Sequence, residues 1–226
     1  MTTRSSRHPL RARQALLLSA MLGLAVPSAV ATPEKSAKYY EDALARFEKN
    51  DITGAALQLK NALTENPRNL PAQLLYARLL HQAGEYKAAE AAYEAALKQG
   101  ASKVEVFAQL GSVYMQTGNA RQLLETITPA GLPPNVQAEV LTLRGSALAL
   151  QGSMTAAAQA FADARKADPK SALPNIAESP VLMRLGERDK AKLLAQQATE
   201  MAPQNASAWH QLGTILFTAG DAAAAL

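Results

Sequence analysis

The sequence contains no cysteine among its 226 residues. Disulfide bonds, thiolate zinc sites and cysteine nucleophiles are therefore excluded. Aromatic residues are also scarce, at 5% of the chain, although 48% of the chain is hydrophobic. Alanine and leucine supply the difference, and this bias favours closely packed helices over strands, which are rich in β-branched and aromatic residues.

Acidic residues are missing from the first 31 positions, whereas four arginines lie within the first 13. The whole chain has 23 basic and 19 acidic residues, so its formal net charge of +4 comes from this segment alone. A neutral remainder with mixed charges has no electrostatic footprint for a phosphate backbone. Nucleic acid is therefore not an expected partner.

Residues 1–31 have the pattern of a secretory signal peptide. Four arginines lie between Arg4 and Arg13, and an apolar run follows at Ala15–Val26. Residues Ala29–Ala31 then form a small-x-small cleavage site. The alternative is a membrane anchor, but 12 helical residues span only about 18 Å, and the hydrocarbon core is about 30 Å thick. We expect export, cleavage near Ala31 and a periplasmic or secreted protein.

Small residues recur every 34 positions along the rest of the chain. One series is Asn50, Gly84, Gly118, Gly152, Gly186 and Gly220. Three more are Ala55, Ala89, Leu123, Ala157, Ala191 and Ala225; Ala62, Ala96, Ala130, Ala164 and Ala198; and Ala43, Ala77, Gly111, Gly145, Ser179 and Gly213. This period is that of a helix–turn–helix repeat. It predicts repeats at 36–69, 70–103, 104–137, 138–171 and 172–205, and a sixth at 206–226 that the chain leaves incomplete, as expected for part of a longer protein.

Two places interrupt the pattern. In repeat 3, Pro129 and the prolines at 133–134 predict a short second helix, about 120–128, followed by an irregular loop. In repeat 5, Pro180 falls where an apolar helical run is expected, which predicts a helix kinked or shortened near Ile176. Elsewhere the turns are regular, and Asn50 is expected to take the left-handed conformation that ends a helix.

The motifs resemble the tetratricopeptide repeat (TPR). Trp209, Leu212 and Gly213, with Gly220 and Ala225, match its W-x2-L-G…G-x4-A pattern, and the residues around Phe107 match it as well. The resemblance covers about residues 36–226. It implies an all-α fold: a TPR solenoid of antiparallel helix pairs, about five and a half repeats, wound into a right-handed superhelix.

A second resemblance is narrower. Residues Ala55–Leu63, AALQLKNAL, are similar to the opening of TPR proteins found with bacterial PEP-CTERM/exosortase systems. That resemblance implies a role in exopolysaccharide production or protein sorting at the envelope. Members of this group are usually lipoproteins, but this chain has no cysteine at the cleavage site, so no lipid anchor is expected on it.

Catalytic and metal-binding motifs are not found in the sequence. His81 and His210 are far apart and have no acidic or histidine partner at ligand spacing, and HExxH, P-loop, GxSxG and CxxC patterns are all missing. Carboxylates are scattered over helix surfaces. We therefore expect neither an enzyme nor a metal or other cofactor.

The TPR resemblance also implies a binding groove walled by the first helix of each repeat. The candidate ligand contacts on that wall are Tyr40, Phe47, Arg78, His81, Met115, His210 and Phe217; Leu74 and Glu105 are further wall positions. An apolar groove with a few polar groups suits an extended or helical peptide. The alternative is that the aromatic residues pack between neighbouring helices. Paired cations that would clamp an acidic peptide terminus are lacking.

These features predict an exported, non-catalytic TPR scaffold or adaptor that mediates protein–protein interactions in the bacterial envelope, in exopolysaccharide or PEP-CTERM protein export. Its partners would be envelope proteins or peptides. One alternative is an assembly component that contacts polysaccharide directly. Another is a regulatory TPR part of a longer multidomain protein.

Overall fold

The computed structural model describes residues 32–218, which form eleven α-helices and no strand. The predicted signal peptide and residues 219–226 lie outside the described part. The helices are α1 Pro33–Glu48, α2 Ile52–Glu65, α3 Leu70–Gln82, α4 Tyr86–Lys98, α5 Lys103–Gln116, α6 Ala120–Thr126, α7 Pro134–Leu150, α8 Met154–Ala167, α9 Leu173–Arg184, α10 Arg188–Met201 and α11 Ala206–Thr218. The all-α prediction is confirmed.

Helices pair within each repeat. The contacts between α1 and α2, α3 and α4, α7 and α8, and α9 and α10 are the most extensive in the described part of the chain. Odd-numbered helices are the first of each repeat (helix A), and even-numbered ones are the second (helix B). Each pair also contacts the next helix along the chain, and the stacked apolar faces are buried in successive hydrophobic clusters.

The turn between helix A and helix B has the same backbone conformation in every repeat that the structure describes in full. Asn50 has a φ of 60°, and the four glycines that follow it in the series have φ between 76° and 80°. This left-handed conformation closes a helix C-terminus and is strained for most L-residues. The prediction for Asn50 is confirmed. The next helix is capped by Asp51, whose carboxylate accepts from the Gly54 N–H at 2.9 Å.

The other three series lie at the helix crossings. Their alanines on α1–α4, α8 and α10 are at most 1% exposed: Ala43, Ala55, Ala62, Ala77, Ala89, Ala96, Ala157, Ala164, Ala191 and Ala198. Small side chains allow the backbones to approach, while Tyr93, Tyr114 and Phe161 fill the spaces between them.

Repeat 3 departs from the pattern as predicted. Its second helix, α6, has only 7 residues and ends at Thr126. Ile127 in the following loop is completely buried and takes the place of the lost helical turns. The Arg144 guanidinium on α7 donates to the carbonyls of Leu124 at 2.8 Å and Ile127 at 2.7 Å, which satisfies the open end of α6.

Helix α7 begins earlier than the 34-residue period suggests. It starts at Pro134, four residues before the predicted boundary of repeat 4 at 138. Proline is well tolerated in the first turn of a helix, because the N–H that it lacks has no partner there. The last residues of the segment that we assigned to the loop of repeat 3, from Pro134 onward, are therefore helical.

Of the two effects predicted for Pro180, a shortened first helix of repeat 5 is wrong, and a kink near Ile176 stays a prediction. Helix α9 continues through Pro180 to Arg184. Proline cannot donate to the carbonyl of Ile176, but the hydroxyl of the preceding Ser179 donates to that carbonyl at 3.2 Å. The hydroxyl of Ser179 thus satisfies the Ile176 carbonyl, which would otherwise accept from a backbone N–H at position 180.

Glu178 is nearly buried beside Ser179, at 8% exposure. Its carboxylate pairs with the Arg165 guanidinium of α8 at 2.5 Å, and the same guanidinium nitrogen lies 3.5 Å from the side-chain oxygen of Asn175. A charge in place of an expected apolar residue is tolerated because the previous repeat supplies the counterion.

We predict that Gly145→Ala destabilises the fold. An added Cβ would lie 2.8–3.0 Å from three ring atoms of Phe161, which is completely buried. The resulting overpacking should lower the free energy of unfolding by about 1–3 kcal/mol in chemical denaturation. Gly111→Ala is the matched control, because its Cβ would meet the flexible end of the Leu143 side chain at 3.0 Å and Leu123 Cδ1 at an ordinary contact distance of 3.8 Å. Equal effects of the two substitutions would contradict this assignment.

We predict that Ser179 and Pro180 are energetically coupled. Ser179→Ala should cost about 1 kcal/mol, because it leaves the Ile176 carbonyl without its donor. Pro180→Ala should raise the unfolding temperature, since it restores a backbone N–H. In the Pro180→Ala background, Ser179→Ala should cost much less than it does alone. A double-mutant cycle measures this coupling, and additive effects would show that the hydroxyl does not replace the missing donor.

Candidate functional site

One cleft of about 420 Å³ lies between the first helices of repeats 1, 2 and 3. Each of α1, α3 and α5 contributes side chains to it, and one residue of α4 completes its floor. The lining residues are Tyr40, Leu70, Pro71, Leu74, Leu75, Arg78, Tyr93, Glu105 and Gln109. Helix α3 therefore contributes an aliphatic wall and the charged Arg78, whereas α5 contributes two polar side chains.

The position of the cleft follows from the spacing of the A helices. Helix α3 makes only sparse contacts with α1 and with α5, whereas α7 packs extensively against α5 and α9. The A helices thus stand apart in the first half of the described chain and touch directly in the second half. Space for a ligand remains where α1, α3 and α5 are separated.

Two opposite charges line the cleft without neutralising each other. Arg78 and Glu105 are both exposed, and neither forms an ion pair within residues 32–218. Three other arginines do form ion pairs: Arg46 contacts Asp42 and Asp51, Arg121 contacts Glu125, and Arg165 contacts Glu178. The cleft therefore offers one unpaired guanidinium and one unpaired carboxylate to a ligand.

Tyr93 of α4 lines the same cleft and is only 2% exposed. Its hydroxyl has no hydrogen-bond partner in the structure. Burial raises the pKa of Tyr93 to about 12, and the nearby positive charge of Arg78 partly opposes that rise. The phenol therefore stays protonated at neutral pH and remains a potential donor.

The structure brings two of the seven predicted contact residues, Tyr40 and Arg78, together in this cleft, along with the wall positions Leu74 and Glu105. Phe47 and Met115 instead pack against the hydrophobic clusters of repeats 1–2 and 2–4, and Tyr40 also packs against the first of these clusters.

The remaining three predicted contacts lie away from the cleft. The His81 ring meets the Tyr86 ring edge-on at 5.9 Å, and burial lowers the pKa of His81. His210 and Phe217 are on α11 and are exposed. The role of all three residues as ligand contacts stays a prediction.

Sequence reasoning missed Tyr93 and Gln109. In the sequence, Tyr93 falls on the apolar face of the second helix of repeat 2, where an aromatic residue is expected in the core. Nothing in the sequence shows that its hydroxyl lacks a partner, because that depends on which side chains of α1, α3 and α5 surround it. Gln109 is an exposed residue of α5 whose place in the cleft depends on the separation of the A helices.

Within residues 32–218, no helix is long and apolar enough to cross a bilayer. No three His, Asp or Glu side chains in that range are arranged to hold a metal ion.

Comparison with protein families identifies the chain. One family model described as tetratricopeptide repeat matches residues 37–108, and a second with the same description matches residues 110–172 and 176–226. The chain belongs to the tetratricopeptide repeat family, and its fold is a TPR solenoid. Proteins of this family serve as surfaces for protein–protein interaction, and that general role applies to this chain.

Solved structures agree on the fold. A tetratricopeptide repeat protein from Parabacteroides merdae ATCC 43184 superposes with a TM-score of 0.63 at 17% identity, covering 85% of this chain and 76% of the other. YrrB, described as a TPR protein with an unusual peptide-binding site, superposes with a TM-score of 0.57 at 21% identity, covering 78% of this chain and 91% of YrrB. PilW, a type IV pilus biogenesis factor, superposes with a TM-score of 0.62 at 17% identity, covering 84% of this chain and 88% of PilW. No curated protein matches this chain in sequence.

We predict opposite effects when two buried tyrosines are changed to phenylalanine. The Tyr114 hydroxyl donates to the Glu94 carboxylate at 2.8 Å, so Tyr114→Phe should lower the free energy of unfolding by about 1–2 kcal/mol. The Tyr93 hydroxyl has no partner, so Tyr93→Phe should leave stability unchanged or raise it by up to about 1 kcal/mol. Denaturant unfolding of both variants tests this; a clear loss in Tyr93→Phe would mean that its hydroxyl is already satisfied.

Proposed function

We propose that this protein is an exported, non-catalytic adaptor that holds a segment of another envelope protein in the cleft between α1, α3 and α5. The observation that carries the proposal is the cleft itself, which is lined by an aliphatic wall, by the unpaired side chains of Arg78 and Glu105, and by the polar side chain of Gln109. A peptide offers the matching groups: backbone acceptors and donors, charged side chains and aliphatic side chains.

The envelope setting rests on two sequence features. The first 31 residues have the arrangement of a signal peptide, and residues Ala55–Leu63 resemble the corresponding segment of PEP-CTERM/exosortase-system TPR proteins. We propose that the partner takes part in exopolysaccharide production or in the export of PEP-CTERM proteins.

Two of the similar structures support this combination by analogy. YrrB is described as having a peptide-binding site, and PilW as a pilus biogenesis factor. At 21% and 17% identity, both likenesses concern the fold, so the proposal takes from them only that TPR solenoids of this size serve in such roles.

A second candidate is direct contact with polysaccharide. It has one observation in its favour: Trp209 and Phe217 on α11 are 54% and 70% exposed. Aromatic faces can stack on sugar rings, although the indole N–H of Trp209 already donates to the Pro203 carbonyl at 2.8 Å.

Site-specific crosslinking in cells tests the adaptor proposal. The full chain, with a C-terminal tag, would carry a photo-crosslinking amino acid at Gln109, which is exposed and lines the cleft. The control carries it at Lys60, an exposed position on α2 outside the cleft. We expect a periplasmic product shortened by about 31 residues. We also expect crosslinks to specific envelope proteins from position 109 but not from position 60.

Different outcomes contradict different parts of the proposal. A chain that keeps its full length in the cytosol contradicts export. Equal crosslinking from both positions contradicts the use of the cleft. Binding of the host's purified exopolysaccharide in calorimetry, lost in Trp209→Ala, would favour the polysaccharide candidate instead.

A further inference from the structure

We propose that the Glu65 carboxylate is the binding site for the α-ammonium group of Thr32, which removal of the leader after Ala31 creates. Hydrolysis of the Ala31–Thr32 peptide bond consumes one water. The oxygen of that water completes the Ala31 carboxylate on the departing leader, and its two hydrogens convert the Thr32 N–H into an ammonium group. The inference rests on the export and cleavage in the proposed function, and it goes further by naming the residue that receives the new N-terminus.

The first step is the position of the Thr32 nitrogen. Its N–H donates to Glu65 Oε2 at 3.3 Å, across 33 residues of sequence, and both residues are half-buried. Cleavage after Ala31 changes the charge on this nitrogen, because a free α-amino group is mostly protonated at neutral pH. The ammonium group therefore forms within ion-pair distance of the carboxylate.

The second step is that the fold holds this nitrogen in place. A residue that precedes proline is restricted to extended backbone, and Thr32 precedes Pro33 and has a φ of −117° and a ψ of 137°. The Thr32 side chain caps α1 by accepting from the Lys35 N–H at 3.2 Å, and its carbonyl accepts from the Ser36 N–H at 3.1 Å. Removal of the leader breaks none of these bonds.

The third step concerns the two helix ends that carry the partners. Ser36 in the first turn of α1 is completely buried, and its hydroxyl donates to the Ala62 carbonyl of α2 at 2.7 Å. The Asn69 side chain donates to the same hydroxyl oxygen at 2.8 Å. These hydrogen bonds join the start of α1 to the last turn of α2, in which Glu65 is the final residue. Because the fold already brings the partners together, the ion pair needs little further ordering.

The fourth step is the lack of another counterion for Glu65. Among residues 32–218, its carboxylate accepts only from the Thr32 N–H and forms no ion pair with a lysine or arginine. The last turn of α2 holds no basic residue, and a negative charge is disfavoured at a helix C-terminus. A positive charge at Thr32 is likewise disfavoured at the start of α1. Pairing the two charges offsets both effects.

The fifth step is that the repeat does not require this carboxylate. One 34-residue series contains Glu65, Gln99, Pro133, Ala167 and Met201. Only its first member, which lies beside the predicted N-terminus, carries a charge. The stacking of repeats therefore does not account for Glu65, whereas a counterion for the N-terminus does.

The first experiment determines the residue at which the processed chain begins. The full chain, with a C-terminal tag, would be expressed in bacteria and recovered from the periplasm, and mass spectrometry of its N-terminal peptide would identify that residue. We expect Thr32 with a free amino group. A different first residue, or a blocked amino group, would overturn the inference while leaving the adaptor function of the cleft intact. A full-length chain in the cytosol would overturn both the inference and export.

The second experiment measures whether Glu65 responds to the charge at Thr32. Two chains, 32–226 and 29–226, would be released from a cleavable fusion that leaves no extra residue, and both contain every described residue. The longer chain moves the ammonium group by up to about 10 Å, a distance at which exposed charges are largely screened. Glu65→Gln should raise the unfolding equilibrium constant about three- to fivefold in the 32–226 chain and less than about twofold in the 29–226 chain.

Glu48→Gln is the matched control for this substitution. Glu48 is also the last residue of its helix, but it is exposed at the opposite end of α1 from Thr32, so its effect should be the same in both chains. Equal effects of Glu65→Gln in the two chains would mean that the carboxylate serves only the backbone N–H, and would overturn the inference. No effect in the 32–226 chain would also overturn it. Because Glu65 does not line the cleft, these results are independent of the crosslinking that tests the adaptor function.

Discussion

Close crossing of the two helices of each repeat is the constraint on which this structure depends. The backbones approach at positions where a larger side chain has no room, and the alanines of these series on the full-length helices are almost completely buried. Each crossing also needs a tight turn before it, which the left-handed residue every 34 positions provides. One small residue and one left-handed residue per repeat thus set the path of the chain, and larger side chains fill the remaining volume.

Where prolines interrupt the regular pattern, a nearby side chain replaces what is lost. In repeat 3 the second helix is half the usual length, and the buried Ile127 and the guanidinium of Arg144 close its end. In repeat 5 the hydroxyl of Ser179 takes the carbonyl that Pro180 leaves open. In both repeats a side chain satisfies a backbone carbonyl that the interruption leaves open, and the stacking of repeats continues without a change of register.

The period predicted the helices, their turns and the weak half of repeat 3, because each of these depends on residues near one another in sequence. It failed at Pro180, where the outcome depends on the rotamer of one hydroxyl, and at the start of α7, where proline extends a helix rather than preceding it. The site was predicted in part. Tyr40 and Arg78 follow from helix periodicity, but the cleft depends on how far α1, α3 and α5 stand apart, which no local pattern specifies.

The contrast between regular and irregular positions also explains why the fold is easier to assign than the partner. Residues that repeat every 34 positions do the same task in every repeat, so they identify the scaffold and carry no information about a particular ligand. A ligand is recognised by groups that the scaffold does not need. Tyr93 combines both roles, because its ring fills a slot that leucine, isoleucine and phenylalanine fill elsewhere, while its hydroxyl adds a donor that packing leaves unused. The Tyr93 hydroxyl is a polar group that no other residue of its 34-residue series (59, 93, 127, 161 and 195) has, and such a group can distinguish this chain from other proteins with the same scaffold.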